Sequence, residues 1–140
     1  SQGTVFISVK KQDRAAIVPV ASQFAAIGFN ILATRGTSRY LEHNDIPNTV
    51  VNKVSFGRPH VVDAIKNGGI QLIINTGSGD APRRDGYHIR RAAIKYGIPY
   101  TTTVAGALAI CQGMASLEKE KFAVQTIQEY HAKILSTPQP

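Results

Sequence analysis

A single cysteine, Cys111, is all the sulfur-bridging chemistry in this sequence, so no internal disulfide can form. It sits in an apolar stretch, which predicts a small buried hydrophobe in a reducing compartment, the cytoplasm. No apolar run approaches the roughly 18 to 20 residues of a membrane helix, and no signal-peptide pattern opens the chain. There is no C-x-x-C or H-x-x-E-H-like pattern, and His43, His60, His88 and His131 have no partner histidines at metal spacing, which argues against a metal site. Repeats, low-complexity tracts and linkers are absent too. With 140 residues, 43% of them hydrophobic, the expectation is one soluble domain over residues 1–140. Residue 1 is Ser, and the chain reaches its first strand almost at once, so a fragment of a larger protein is expected.

Acidic residues are scarce: 9 Asp and Glu stand against 16 Lys and Arg, a net charge of +7. The excess invites nucleic acid as a partner. However, the basic residues are scattered in runs of two at most, and no aromatic residues interleave with them as a base-stacking platform would need. Neither nucleic acid nor membrane is expected as a partner. A dispersed set of cations suits a small anionic ligand better.

What is present is an alternation of short apolar runs with helical stretches. "TVFISV" (4–9), "FNILAT" (29–34), "NTVVNKV" (48–54), "QLIINT" (71–76) and "IPYTTT" (98–103) read as strands. Helices are predicted over 13–28, 37–45, 60–69, 87–97, 104–116 and 127–135. In the first, Asp13 is the expected cap and Gly28 the stop, while Pro19 predicts a kink or a late start. A ten-residue loop (77–86) follows the fourth strand. Apolar strands alternating with helices predict an α/β three-layer sandwich around a mostly parallel five-stranded sheet. Ligands of such sheets bind beyond the carboxyl ends of the strands.

Those ends carry hydroxyls, amides, glycines and lysines. In "ATRGT" (33–37), Gly36 is expected to turn the chain and expose amide hydrogens at the next helix N-terminus, a place that favours phosphate. Thr34 and Thr37 add hydroxyl donors, and Lys53 a point charge. Read singly, "ATRGT" is equally a helix cap and Lys53 a solvated lysine; together on one rim they make a phosphate site. In "INTGSG" (74–79), Asn75 suits the edge of a base or amide, with Gly77 and Gly79 allowing close approach, although a surface loop reads the same way. Asp85 either caps the following helix or accepts from a ribose hydroxyl.

In order along the chain, "ISV", "GF…ATRGT", "VNKV…GRPH", "IKNG", "IINT", "IRRAAIKY" and "YTTT" resemble the C-terminal allosteric domain of the large chain of carbamoyl phosphate synthetase, which has the methylglyoxal-synthase-like fold. The resemblance covers nearly the whole chain and implies regulation rather than catalysis. It implies a nucleotide monophosphate effector, UMP or IMP, with phosphate held by Arg14, Thr34, Gly36, Thr37 and Lys53. Ribose and base would meet Asn75, Thr76 and Asp85, with His88 nearby and Ser8 affecting the response. Thr102 matches a threonine that helps bind ornithine at the interface with the neighbouring synthetase domain. Arg14 stands where the bacterial form has lysine, and Gly77 where the family often has threonine.

The implied partners are the synthetase domains of the same chain, the glutaminase small subunit and, through this domain, a further copy. No cofactor is implied for the domain itself; the parent, an ATP-dependent ligase of pyrimidine and arginine biosynthesis, would use ATP and Mg. Two other readings share the fold. Methylglyoxal synthase needs an aspartate base, but "FGRPH" (56–60) has none and the next acid is Asp63, in a predicted helix. Relatives that bind N-acetylglutamate would not need the phosphate cradle of "ATRGT" and Lys53.

Overall fold

The computed structural model describes residues 3–51, 61–77 and 83–136. Five strands, β1 (Gly3–Ser8), β2 (Phe29–Ala33), β3 (Thr49–Val50), β4 (Leu72–Asn75) and β5 (Tyr100–Thr101), form one sheet in the order β3-β2-β1-β4-β5. Every neighbouring pair is parallel. The expected α/β sandwich is therefore fully parallel, with β1 at its centre. The outer strands β3 and β5 are two residues each, shorter than the runs expected to form them.

Among the described residues five α-helices flank the sheet: α1 (Arg14–Ala26), α2 (Arg35–His43), α3 (Val61–Lys66), α4 (Arg83–Lys95) and α5 (Val104–Ser136). The two-residue period of the strands separates two cores. Val5, Ile7, Ile31, Leu72 and Ile74 pack on one face against Ile17, Val20 and Phe24 of α1, Leu41 of α2, and Ala107 and Cys111 of α5. Phe6 and Ile73 point to the other face, against Val61 and Ile65 of α3 and Ile89, Ala92 and Ala93 of α4. Each fully buried Ile, Leu or Phe stabilises the fold by roughly 1.5–3 kcal/mol in transfer terms.

Several expectations need correction. Asp13 makes no side-chain cap; it ends a short 3-10 turn (Lys11–Asp13) that runs directly into α1. α1 neither starts late nor stops at Pro19, because Pro19 and Ala15, whose carbonyl loses its partner, are both solvent-exposed and water can serve that carbonyl. Gly28 closes the helix as expected, with φ of 99° and its amide on the Ala25 carbonyl at 3.1 Å. α4 begins at Arg83 rather than 87. The two expected C-terminal helices are one, α5, of 33 residues. The charged stretch "LEKEK" does not interrupt it, since glutamate and lysine are good helix formers and nothing from 117 to 126 is glycine or proline.

Candidate functional site

Parallel strands put all their carboxyl ends on one edge. Ser8 ends β1, Thr34 follows β2 directly, Asn75 ends β4 with Thr76 next, and Ser8 stands opposite Asn75 in the register. The chain lays β2 and β3 to one side of β1, then crosses to build β4 and β5 on the other. The β1–β4 boundary is thus the point of reversal, where open α/β sheets leave a crevice for ligands.

Three buried hydroxyls meet there. Thr34 Oγ1 donates to Ser8 Oγ at 3.2 Å and lies 3.4 Å from Thr37 Oγ1. Thr37 Oγ1 also accepts the Val9 amide at 3.1 Å. Ser8 accepts from Thr34 and Thr37 accepts from Val9, and neither bond uses the hydroxyl proton of Ser8 or of Thr37. Thr34 occupies the cap position of α2, with φ −67° and ψ 159°, yet its side chain makes no cap bond. The reading of "ATRGT" as a self-satisfied helix cap fails for that reason. Among the described residues nothing bonds the first-turn amides of α2, at the positive end of the helix.

Gly36 corrects a second expectation. It lies inside the first turn of α2 rather than in a tight turn before it, and space, not backbone freedom, is what it supplies. A Cβ there would run into the Arg14 guanidinium, whose Cζ lies 3.3 Å from that position. Arg14, the first residue of α1, so reaches across to the N-terminus of α2. Its Nε is buried and unpartnered among the described residues. A cation held against the positive end of a helix is electrostatically uphill unless an anion joins them.

On the other side of the crevice, Thr76 ties the strand ends together. Its amide donates to the Ser8 carbonyl at 3.0 Å and its Oγ1 accepts the Lys10 amide at 3.1 Å. Asn75 Nδ2 donates to the Tyr100 hydroxyl at 3.0 Å, and Asn75 Oδ1 accepts the Gly77 amide at 3.3 Å. Tyr100 was not among the expected residues. Its signal was its place at the start of the strand beside "QLIINT", from which a long polar side chain reaches the end of β4.

Among the described residues, His88 and Thr102 take no part in these hydrogen bonds. His88 is exposed on α4, edge-on to Tyr87 with ring centroids 5.6 Å apart. Asp85 is the third residue of α4, inside the helix instead of capping it, because α4 starts two residues earlier. Thr102 is exposed in the bend between β5 and α5. Its neighbours are spent on structure: Thr101 Oγ1 accepts the Thr103 amide at 3.5 Å, and Thr103 Oγ1 accepts the Gly106 amide at 2.9 Å. Lys53, Gly79, His60 and the "FGRPH" stretch lie outside the described residues. Cys111 is free and fully buried as expected, and desolvation pushes its thiol pKa up.

The structure is a parallel α/β domain that gathers Ser8, Thr34, Thr37 and Asn75 at the carboxyl edge of its sheet. The family model of the MGS-like domain matches residues 16–102, and the chain belongs to that family. It is 46% identical over 131 residues to the carbamoyl phosphate synthase large chain of Archaeoglobus fulgidus, covering 93% of this chain and 12% of that protein. It is 48% identical over 128 residues to the large chain of Nostoc sp., covering 91% of this chain and 12% of that one. In Methanopyrus kandleri the similar protein is the "Carbamoyl phosphate synthase large chain, C-terminal section", 44% identical over 131 residues, 93% of this chain and 24% of that section. The chain thus spans about an eighth of the length of the full large chains it matches.

Proposed function

We propose that this chain is the regulatory domain of a carbamoyl phosphate synthase large chain, and that its crevice binds the phosphate of a nucleoside monophosphate, UMP or IMP. The observation that carries the reading is the Arg14 guanidinium seated against Gly36 at the open N-terminus of α2, with its buried Nε unpartnered. A phosphate placed between them would receive the guanidinium, the first-turn amides and the spare protons of Ser8 and Thr37. Lys53 would add a second positive charge. Asn75, which keeps one Nδ2 hydrogen and one Oδ1 lone pair after its two bonds, supports contact with a ribose or base edge. Thr102, exposed between a turn and a helix cap, would serve a second effector, ornithine, beside the synthetase domains.

In this reading the domain does no chemistry. Asp63, the first acid after "FGRPH", is a residue of α3, not of the strand-end rim, so the proposal assigns it no role as a base. Regulation would require the effector to bind two conformations of the parent unequally. The partners would be the synthetase domains and the glutaminase subunit in the cytoplasm, the ATP and Mg belonging to the parent. Calorimetric titration of UMP, IMP and ornithine into this chain tests the proposal. One nucleotide is expected to bind, and Arg14→Gln to weaken it about tenfold or more, the scale of a lost charge-assisted hydrogen bond. Binding of neither nucleotide, or equal affinity in Arg14→Gln, would overturn it.

A further inference from the structure

Tyr100 stands at the edge of the crevice without belonging to the hydroxyl cluster, and its hydroxyl is tied to one atom that does matter there. Asn75 is nearly fully buried at the end of β4, and an asparagine side chain can present its amide in two orientations. The Gly77 amide hydrogen can bond only to the oxygen, so Oδ1 must face Gly77. Nδ2 then faces the Tyr100 hydroxyl, which accepts it at 3.0 Å. The flipped amide would set Nδ2 against the Gly77 donor. The Gly77 donor selects this orientation, and the Tyr100 hydroxyl, which can donate or accept, anchors the amide in it.

The tyrosine is itself held. β5 pairs with β4 through Ile73↔Tyr100 and Ile74↔Thr101, which fixes its backbone two residues from Asn75 in register. Its ring packs on the core formed by Phe6, Ile73, Ile89 and Ala93. The Arg90 guanidinium of α4 sits over that ring, 5.6 Å from its centroid. A side chain clamped at backbone, ring and hydroxyl is a rigid post.

We infer that Tyr100 is a positioning residue for the effector site: its hydroxyl holds the Asn75 amide so that one Nδ2 hydrogen and one Oδ1 lone pair face the ligand in a fixed pattern. Its consequence for binding rests on the proposed nucleotide site. The chain runs from α4 through Arg90 and Tyr100 to Asn75, so the contact that reads the ribose or base is set by elements remote from the phosphate cradle.

Tyr100→Phe keeps the ring and the Arg90 contact and removes only the hydroxyl. Titrations of this variant with UMP or IMP, whichever the wild type binds, and with inorganic phosphate separate positioning from general damage. The nucleotide is expected to weaken about fivefold, the size of one neutral hydrogen bond, with phosphate affinity unchanged. In an Asn75→Ala background the same substitution is expected to change nothing, since Tyr100 acts through Asn75. Equal weakening of phosphate and nucleotide, an unchanged nucleotide affinity, or a loss that persists without Asn75 would each overturn the inference. If the wild type binds neither nucleotide, the proposed function fails and the positioning is read without ligand, from the nuclear magnetic resonance signals of the two Asn75 Nδ2 protons. A separated pair that converges in Tyr100→Phe supports it, and an unchanged pair overturns it.

Discussion

Arg14 and Gly36 are 22 positions apart in sequence, yet the absence of a side chain at one makes room for the side chain of the other. That dependence is directly testable. Gly36→Ala places a methyl where the guanidinium lies, and because the obstructing atoms belong to a flexible side chain the fold yields by moving Arg14 rather than by opening α2. The expected result is a loss of phosphate and nucleotide affinity of about tenfold, the scale of one displaced charge-assisted bond, with a thermal midpoint within a few degrees of wild type. Alanine is also the better helix former, which offsets part of any packing cost. A variant that binds as wild type does would show that the guanidinium position is unimportant.

At the scale of elements, the helices meet the site through their ends. α2 enters with its first-turn amides unpartnered among the described residues, because the Thr34 hydroxyl is turned to Ser8 and Thr37 instead. α5 enters with a conventional cap, Thr103 Oγ1 receiving the Gly106 amide at 2.9 Å. The contrast predicts opposite outcomes for two similar substitutions. Thr103→Ala should cost about 1 kcal/mol of stability by loss of the cap, seen as a fall of several degrees in the melting temperature, without altering ligand affinity. Thr34→Val should lower ligand affinity more than stability, because the hydroxyl it removes orients the Ser8 and Thr37 donors. Beyond Glu118, α5 runs along solvent, with residues 119–129 exposed and Phe122 71% so. Its length of about 50 Å follows from a rise of 1.5 Å per residue.

For the whole molecule, the two cores on either side of the sheet set what is stable and what can react. Cys111 lies in the core shared by α1, α5 and the sheet, and burial raises its thiol pKa. The unfolded thiol ionises at lower pH than the folded one, so the native state keeps a proton that the unfolded state has lost. Stability from this group is complete below the ordinary thiol range and declines as pH rises through it, above about 8.5. A thiol reagent at neutral pH should leave the folded protein unmodified and label it only after denaturation; rapid labelling of the native protein would contradict the burial. Ligand binding at the rim should add stability by mass action, about 2.7 kcal/mol at a hundredfold excess over Kd.

The sequence by itself determined the five strands and the α/β layering. The apolar runs in "TVFISV" and "QLIINT" are local, and once such a run is a strand its period of two sends successive side chains to opposite faces. Alternating strands and helices then dictated a parallel sheet, and a parallel sheet brought Ser8, Thr34, Asn75 and Thr76 to one edge. Tertiary structure alone decided how those residues are used. Whether Thr34 caps a helix or bonds Ser8, 26 residues away, depends on how β2 docks beside β1. Gly36 read as a turn because glycine usually is one; only the crossing of α1 over the start of α2 makes it a space for Arg14. Tyr100 had a place beside "QLIINT" but no visible role, because its partner Asn75 is 25 residues away and meets it through β4–β5 pairing. Periodicity is a property of neighbours along the chain, whereas the donors of a site are chosen by the contacts that folding brings together.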